Sequence, residues 1–285
     1  MAALPDRRRA MNRSTLLCHM ETNGQNKAVL SVCADLASAL NASVIGIAAC
    51  QPAQPFGEMP YAGDLIEADI AEIRRETAQA EQVFRGFLAD TVRNLTFRSA
   101  ATYQELADYI AGQSRAADFI VTGPALGGSP LNNSRHTNIG DLVMNAGRPV
   151  ILVPQDAAEC LLGSVVIAWK DRREARRAVL DALPILRLAR QVQVAEVAHK
   201  SDRDNAIART TDVAAWLERH GIAAAPLVRA AEGPDVECLQ KLLDEQNCDF
   251  FVAGAYSHSR IGEWAFGGVT TDLLLQPRRC TLISH

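Results

Sequence analysis

Hydrophobic residues along this chain alternate between short continuous runs and longer stretches with helical spacing. The runs at 15–18 and 165–168 are wholly apolar, and a polar turn and then a helical pattern follow each of them, at 28–40 and 175–188. Short apolar runs that alternate with amphipathic helices predict parallel strands buried on both faces. Further strands are predicted at 43–49, 95–99, 192–197 and 225–229. The pattern indicates an α/β fold with two tandem, doubly wound, Rossmann-like parallel sheets of about five strands each.

The last 37 residues of the chain repeat residues 118–154 at a constant offset of 131 and without a gap. Both copies begin with D-F-x-V-x-G, carry D-L further on, and end in an apolar strand. The chain therefore reads as a duplicated unit, which predicts two domains related by a pseudo-two-fold axis. The closing strands, 150–153 and 281–284, would each lie at a sheet edge, so we expect them to pair with each other.

The duplication divides the chain into four segments. Residues 1–12 carry three consecutive arginines but no apolar stretch, which predicts a disordered extension, or a natural start at Met11, and not a secretory signal. A first domain is predicted at 13–154, a polar linker at 155–163 and a second domain at 164–285.

Composition excludes several classes of function. With 48% hydrophobic and 22% charged residues, the chain can form two ordinary cores. Its net charge of -4 gives no general attraction to nucleic acid or to an anionic membrane, and no apolar run is long enough to cross a bilayer. The seven cysteines form no C-x-x-C pair and mostly lie in apolar segments, which predicts reduced core thiols, no metal site and a cytoplasmic location.

Candidate chemistry lies in the loops that follow the strands, because ligands of open α/β sheets bind beyond the carboxyl ends of the strands. In the second half these loops are W-K-D-R-R at 169–173 and G-A-Y-S-H-S-R at 254–260, which continues to G-G-V-T-T at 267–271. A glycine turn lets backbone N–H groups approach an anion, and a hydroxyl-bearing helix N-terminus adds further donors. Together these loops are typical of a cradle for the phosphates of a nucleotide.

Two segments, 249–260 and 264–274, resemble the C-terminal signature of the universal stress protein (UspA-type) superfamily. The segment 165–179 resembles the first strand and helix of that family, and the duplication is similar to its tandem members. The resemblance covers residues 13–285 and is strongest in the second half. It implies a Rossmann-like fold, a cytoplasmic role in stress response or regulation, and an adenine nucleotide, ATP, as a candidate ligand with Mg²⁺ accompanying it.

The resemblance also assigns a nucleotide site. Nucleotide-binding members carry Gly, two residues, Gly, nine residues, Gly, then Ser or Thr; here Gly254 and Gly267 match, whereas Ser257 and Gly268 depart from the pattern. The acid that the family carries after its first strand falls on Lys170, with Asp171 next to it. The residues assigned to the nucleotide are Ala168, Trp169, Lys170, Asp171, Gly254, Ser257, His258, Gly267, Gly268, Val269 and Thr270.

In the first half the matching positions keep one glycine of three. They are Gly123, Leu126, His136 and Thr137, with Met20 in place of the acid and Glu21 beside it. The first half is therefore predicted to be a degenerate, structural copy, and any nucleotide is expected in the second half.

Simpler interpretations of individual residues stay open beside these assignments. Gly254 and Gly123 could instead be the φ-permissive residues that a strand-to-loop turn needs; this interpretation stands level with phosphate contact for Gly254 and is favoured over it for Gly123. His258 has no nucleophile and acid beside it, so a solvated or phosphate-adjacent side chain is favoured over a general base. The basic turn of Lys170, Arg172, Arg173, Arg176 and Arg177 is typical of a solvated helix face, with anion binding as the alternative. Trp169 and Trp264 are interpreted as packing residues, and His19 as an ordinary core or rim side chain.

Enzyme signatures do not occur in the chain. It has no G-x-x-x-x-G-K-[ST] loop, no G-x-G-x-x-G after the first strand, no G-x-S-x-G and no H-E-x-x-H. A binding or regulatory role is therefore favoured over catalysis, and no catalytic residue is assigned. Two alternatives remain, an interaction or structural protein that binds no nucleotide and a slow ATP hydrolase. The expected partners are the chain itself, as an internal pseudo-dimer and as a homodimer, and an unidentified protein.

Overall fold

A computed structural model describes residues 14–22, 24, 26–54, 62–124, 134–255 and 277–285. In the first half the elements are β1 (Thr15–His19), α1 (Lys27–Leu40), β2 (Ser43–Cys50), α2 (Ala62–Leu88), β3 (Leu95–Ala101), α3 (Leu106–Gln113), β4 (Phe119–Thr122), α4 (Ile139–Asn145) and β5 (Val150–Leu152). In the second half they are β6 (Ser164–Ala168), α5 (Arg173–Leu186), β7 (Gln191–Ala198), α6 (Arg203–Arg219), β8 (Ala224–Ala230), α7 (Asp235–Glu245), β9 (Phe250–Gly254) and β10 (Cys280–Ser284).

The strands form one continuous ten-stranded sheet with the order β3-β2-β1-β4-β5-β10-β9-β6-β7-β8. Every pair within a half is parallel, which confirms the predicted fold class. The exception is the central pair, where β5 and β10 run antiparallel, with Val150 opposite Ile283 and Leu152 opposite Thr281. The closing strands therefore meet each other, as their apolar character and edge position predicted.

Helices cover both faces of the sheet. Buried residues of α1, α2, α5 and α6 pack on one face, and those of α3, α4 and α7 on the other. Each of the two resulting cores contains residues from both halves. The strands are accordingly buried on both sides, which explains why their sequences read as continuous apolar runs and not as alternating ones.

Local signals account for where helices begin and end. Asn138 caps α4, because its side-chain Oδ1 accepts a hydrogen bond from the backbone N–H of Asp141 at 3.2 Å. Helix α1 ends at Asn41, which has a left-handed conformation with φ 48° that asparagine tolerates better than most residues. The capped start of α4 fixes the backbone immediately after His136 and Thr137.

All seven cysteines lie in the described residues, and all are free thiols. Six are buried, and Cys160 is partly exposed. A hydrogen bond to Cys18, together with burial, raises the pKa of Cys33 well above its ordinary value. These thiols behave as small core residues, in line with the prediction. Over the described part of the chain, no helix combines the length and the apolar character that crossing a membrane requires.

Candidate functional site

The carboxyl ends of β1 and β4 meet in the first half at a buried histidine. His19 is the last residue of β1, and its Nδ1 lies 2.8 Å from Oγ1 of Thr122, the last residue of β4. Its Nε2 lies 3.2 Å from Oγ1 of Thr137. Because His19 is only 2% exposed, burial lowers its pKa, and the nearby charge of Glu21 only partly offsets this effect. A neutral imidazole between two hydroxyl groups can donate to one and accept from the other.

Glu21 joins the same group of residues from the turn after β1. Its Oε2 lies 3.1 Å from Nδ1 of His136, and its Oε1 accepts a hydrogen bond from the backbone N–H of Thr137 at 3.4 Å. The same Oε1 lies 3.9 Å from Nε2 of His19. We refer to His19, Glu21, Thr122, His136 and Thr137 as the first-half polar cluster. It occupies the switch point of the first half, where β1 lies between β2 and β4.

A neighbouring arginine ties this cluster to α2. The guanidinium of Arg135 lies 2.6 Å from Asp69 and 3.2 Å from Glu76, two residues of α2. Its Nη1 also donates to the backbone carbonyl of Gln51, just after β2, at 3.0 Å. Arg135 therefore ties the chain before α4 to α2 and to the end of β2, and the first-half crevice is filled by the protein's own side chains.

Strand pairing gives the residues of the second half that correspond to this cluster. Leu16 of β1 pairs with Phe119, and Val165 of β6 pairs with Phe250. Since Phe119 and Phe250 are equivalent in the duplication, Leu16 is equivalent to Val165. The cluster residues His19, Glu21, Thr122, His136 and Thr137 therefore correspond to Ala168, Lys170, Ala253, Gly267 and Gly268.

This register corrects one sequence assignment. Met20 was predicted to stand in place of the family's acid, at the position of Lys170. In the structure Met20 is equivalent to Trp169, because the N–H of Met20 donates to Ile47 and the N–H of Trp169 donates to Ala195, which occupy matching places in β2 and β7. Glu21 therefore stands at the position of Lys170, and the first half carries a carboxylate there.

The predicted site of the second half lies partly within the described residues. Ala168 ends β6 and Gly254 ends β9, and these two strands are paired neighbours, so the structure brings the two carboxyl ends together. Lys170 and Asp171 are exposed, whereas Trp169 is 9% exposed and packs in the core. The other assigned residues lie outside the described part of the chain; they are Ser257, His258, Gly267, Gly268, Val269 and Thr270.

Packing explains why residue 254 is a glycine, and the sequence did not reveal this explanation. Its φ is not positive, nor is that of Gly123, so the interpretation of both as left-handed turn residues is wrong. A Cβ on Gly254 would lie 2.5 Å from the carbonyl carbon of Glu174 and 2.6 Å from the nitrogen of Ala175, in the first turn of α5. At Gly123 the one neighbour among the described residues would be a methyl group of Val29 at 3.8 Å. Gly254 thus permits close packing of β9 on α5, and Gly123 is not required for space.

Three arginines of the basic turn after β6 are paired with carboxylates. Arg176 lies 2.6 Å from Asp171, Arg177 lies 2.8 Å from Asp181, and Arg173 contacts Glu174. The guanidinium groups of all three are roughly half exposed or more. These contacts favour the interpretation of the turn as a solvated helix face.

The sequence did not single out His19 or Thr122 as members of a site. The available signal was a polar residue at the end of each of two buried strands, which here are 103 residues apart. As for metals, within the segments that the structure describes no group of three or more His, Cys, Asp or Glu side chains is arranged to hold an ion.

Three solved structures share the fold over nearly the whole chain. A universal stress protein from Archaeoglobus fulgidus DSM 4304 superposes with a TM-score of 0.63 at 14% identity, over 95% of this chain and 97% of that one. A protein of unknown function from Pseudomonas aeruginosa PAO1 superposes with a TM-score of 0.55 at 15% identity, over 96% of this chain and 93% of that one. A candidate universal stress protein from Pseudomonas aeruginosa UCBPP-PA14 superposes with a TM-score of 0.54 at 16% identity, over 96% of this chain and 94% of that one.

Sequence comparison adds nothing to this likeness, because no protein-family model and no curated protein matches the chain. The chain has the fold of universal stress proteins, and the shared fold extends over both halves.

Proposed function

We propose that this chain is a tandem universal stress protein of the cytoplasm whose second half binds an adenine nucleotide. In this proposal the nucleotide lies at the carboxyl ends of β6 and β9 and acts through conformation or association, not through catalysis. One observation carries the proposal: the five side chains that fill the first-half crevice are replaced in the second half by two alanines, two glycines and a lysine.

The replacements change both the space and the charge of the crevice. Alanine at 168 and 253 and glycine at 267 and 268 remove the two rings and the two hydroxyl groups that fill the first half. Glycine also leaves backbone N–H groups accessible to an anion. Lys170 places a cation where Glu21 places a carboxylate in the first half, and a carboxylate there would repel phosphate. The second-half crevice is therefore suited to an anionic ligand and the first-half crevice is not.

The bound nucleotide would be held by the loop residues that the family resemblance assigns. Lys170 supplies charge near the phosphates, and the glycine turns supply backbone donors. Ser257 and Gly268 depart from the family pattern, and each hydrogen bond to a charged group that is lost costs roughly 1.5–3 kcal/mol. We therefore expect weaker binding than in a member with the full pattern, by about tenfold for each bond lost.

Calorimetric titration with ATP, with and without Mg²⁺, tests the proposal. The unmodified chain is compared with a variant in which a larger side chain fills the second-half crevice. Gly267→His places in the second half the residue that the first half carries, and it should abolish binding. The matched control is His136→Gly, which opens the first half and should leave ATP binding unchanged. If His136→Gly alters ATP affinity and Gly267→His does not, the ligand lies in the first half and the assignment is wrong.

If the unmodified chain binds no ATP in the same titration, the nucleotide part of the proposal fails. The alternative of an interaction protein that binds no nucleotide would then replace it. Release of phosphate during the titration would instead favour the slow hydrolase, which has no assigned catalytic residue in this chain.

A further inference from the structure

A cavity of about 440 Å³ lies between α5 and α6 in the second half. Its walls include two indole rings, from Trp169 and Trp216, and the half-exposed aliphatic side chain of Leu180. Asp212 and Arg219 contribute a charge of each sign. Small-molecule sites commonly enclose roughly 300–1,000 Å³ and combine apolar walls with a few polar groups, and this cavity has both properties. Of the assigned nucleotide residues that the structure describes, Trp169 is the one that lines it.

Several polar groups of this cavity lack partners. The indole nitrogen of Trp169 is buried, and none of the described residues supplies a hydrogen-bond acceptor for it. Within the described residues, the side chains of Asp212 and Arg219 make no ion pair and no hydrogen bond, and both are exposed to solvent. By contrast, Arg176, which lines the cavity from α5, lies 2.6 Å from Asp171. Asp212 and Arg219 can therefore pair with the charged groups of a ligand without giving up a partner among the described residues.

The spacing along α6 sets these groups in a row. Asp212, Trp216 and Arg219 are separated by four and then three residues, so they share one face of the helix. The ring of Trp216 lies against the ring of His220, with 4.2 Å between the ring centroids. The row therefore presents a carboxylate, a flat apolar ring and a guanidinium in sequence along the cavity wall.

We propose that this cavity binds a small aromatic acid. The ligand's ring packs against the two indoles, its acidic group pairs with Arg219, and an N–H or O–H group on the ring donates to Asp212. A guanidinium binds a carboxylate through two parallel hydrogen bonds, and aromatic rings add attraction beyond the area they bury. This site does not depend on nucleotide binding at the carboxyl ends of β6 and β9.

The test uses 2-aminobenzoate as the probe, because it combines a ring, a carboxylate and an amine and absorbs where tryptophan emits. Titrated into the full-length chain, it should quench tryptophan fluorescence in a saturable way. Arg219→Gln should weaken binding about tenfold, as expected for the loss of one charged hydrogen-bonding partner. The matched control is Arg203→Gln, an exposed arginine at the other end of α6 that is not on the cavity wall, and it should bind like the unmodified chain.

Two further titrations make the proposal specific. Aniline, which lacks the carboxylate, should bind at least about tenfold more weakly than 2-aminobenzoate. Saturating ATP should leave 2-aminobenzoate binding unchanged, which separates this cavity from the nucleotide crevice. The absence of saturable quenching, equal affinity in Arg219→Gln, equal affinity for aniline, or displacement by ATP would each overturn the proposal. Arg219 is exposed, so its variant should fold, and the far-ultraviolet circular dichroism of each variant checks this.

Discussion

Ile151 in β5 lies directly opposite Leu282 in β10, and these two residues occupy the same position in the duplicated sequence. A residue that faces its own counterpart across an antiparallel pair marks a local two-fold axis. Both side chains are fully buried and belong to the same core, so the axis passes through packed apolar contacts. The two halves are thus joined by backbone hydrogen bonds and by a shared core.

The first prediction concerns coupling between Ile151 and Leu282. Each change to alanine should lower the free energy of unfolding by about 2–5 kcal/mol, because each leaves a cavity in the core. A double-mutant cycle in urea should show a coupling energy of about 0.5–3 kcal/mol between them. Leu65→Ala, at a side chain 59% exposed, should change stability by less than about 0.5 kcal/mol. Strict additivity of the two core changes would show that the strands do not support each other.

The second prediction compares two equivalent glycines. Gly254→Ala should destabilise the protein by about 1–3 kcal/mol, because the new methyl group would overlap the backbone of α5. Gly123→Ala should be neutral within about 0.5 kcal/mol, since its methyl group meets a side chain at an ordinary distance. Thermal unfolding of both variants measures the difference. Equal stability of the two variants would refute the role assigned to Gly254 in packing.

The third prediction concerns the dependence of stability on pH. Burial lowers the pKa of His19 in the folded state below its ordinary value of 6.5, so the unfolded chain binds the proton more readily. Stability should therefore fall as the pH drops below about 6.5, and His19→Gln should make this fall smaller. Urea unfolding at about pH 7.5 and about pH 5.5 measures the effect on either side of the ordinary histidine pKa. His199→Gln, at an exposed histidine, is the control and should retain the full dependence. An unchanged slope in His19→Gln would assign the dependence to other groups.

The fourth prediction concerns Glu21, which reaches His136, Thr137 and the neighbourhood of His19. Glu21→Gln should lower the free energy of unfolding by about 1–3 kcal/mol, because it removes a charged acceptor from part-buried donors. Glu67→Gln, on the exposed face of α2, is the matched control and should have little effect. Equal stability of the two variants in urea would mean that the first-half polar cluster does not hold the crevice closed.

The fifth prediction follows from the missing hydroxyl at Gly268. Gly268→Ser restores the family pattern at this position and should strengthen ATP binding by about tenfold, the equivalent of one hydrogen bond to a charged group. Gly112→Ser is the control, since an added Cβ at this position in α3 meets no atom of the described residues within 4 Å. Calorimetry measures both affinities. If ATP binds and Gly268→Ser leaves its affinity unchanged, the phosphates lie elsewhere.

The sequence by itself determined the fold class, the positions of most elements and the pairing of the closing strands. These features follow from local patterns, because burial on both faces produces apolar runs and a duplication repeats them at a fixed offset. The strand and helix limits found in the structure differ from the predicted ones by only a few residues. The pairing of β5 with β10 was equally accessible, since two apolar edge strands in a duplicated chain are natural partners.

Only the tertiary structure decided which polar side chains meet. His19 meets Thr122 and Thr137, each more than a hundred residues away in sequence, and Glu21 reaches His136 across 115 residues. The sequence alignment of β1 with β6 was wrong by one residue, so it placed Met20 at the acid position where the structure places Glu21. The correct alignment depends on strand register, which composition does not determine. The need for glycine at position 254 also depends on tertiary structure, because the spacing of apolar residues does not predict how closely a strand approaches a neighbouring helix.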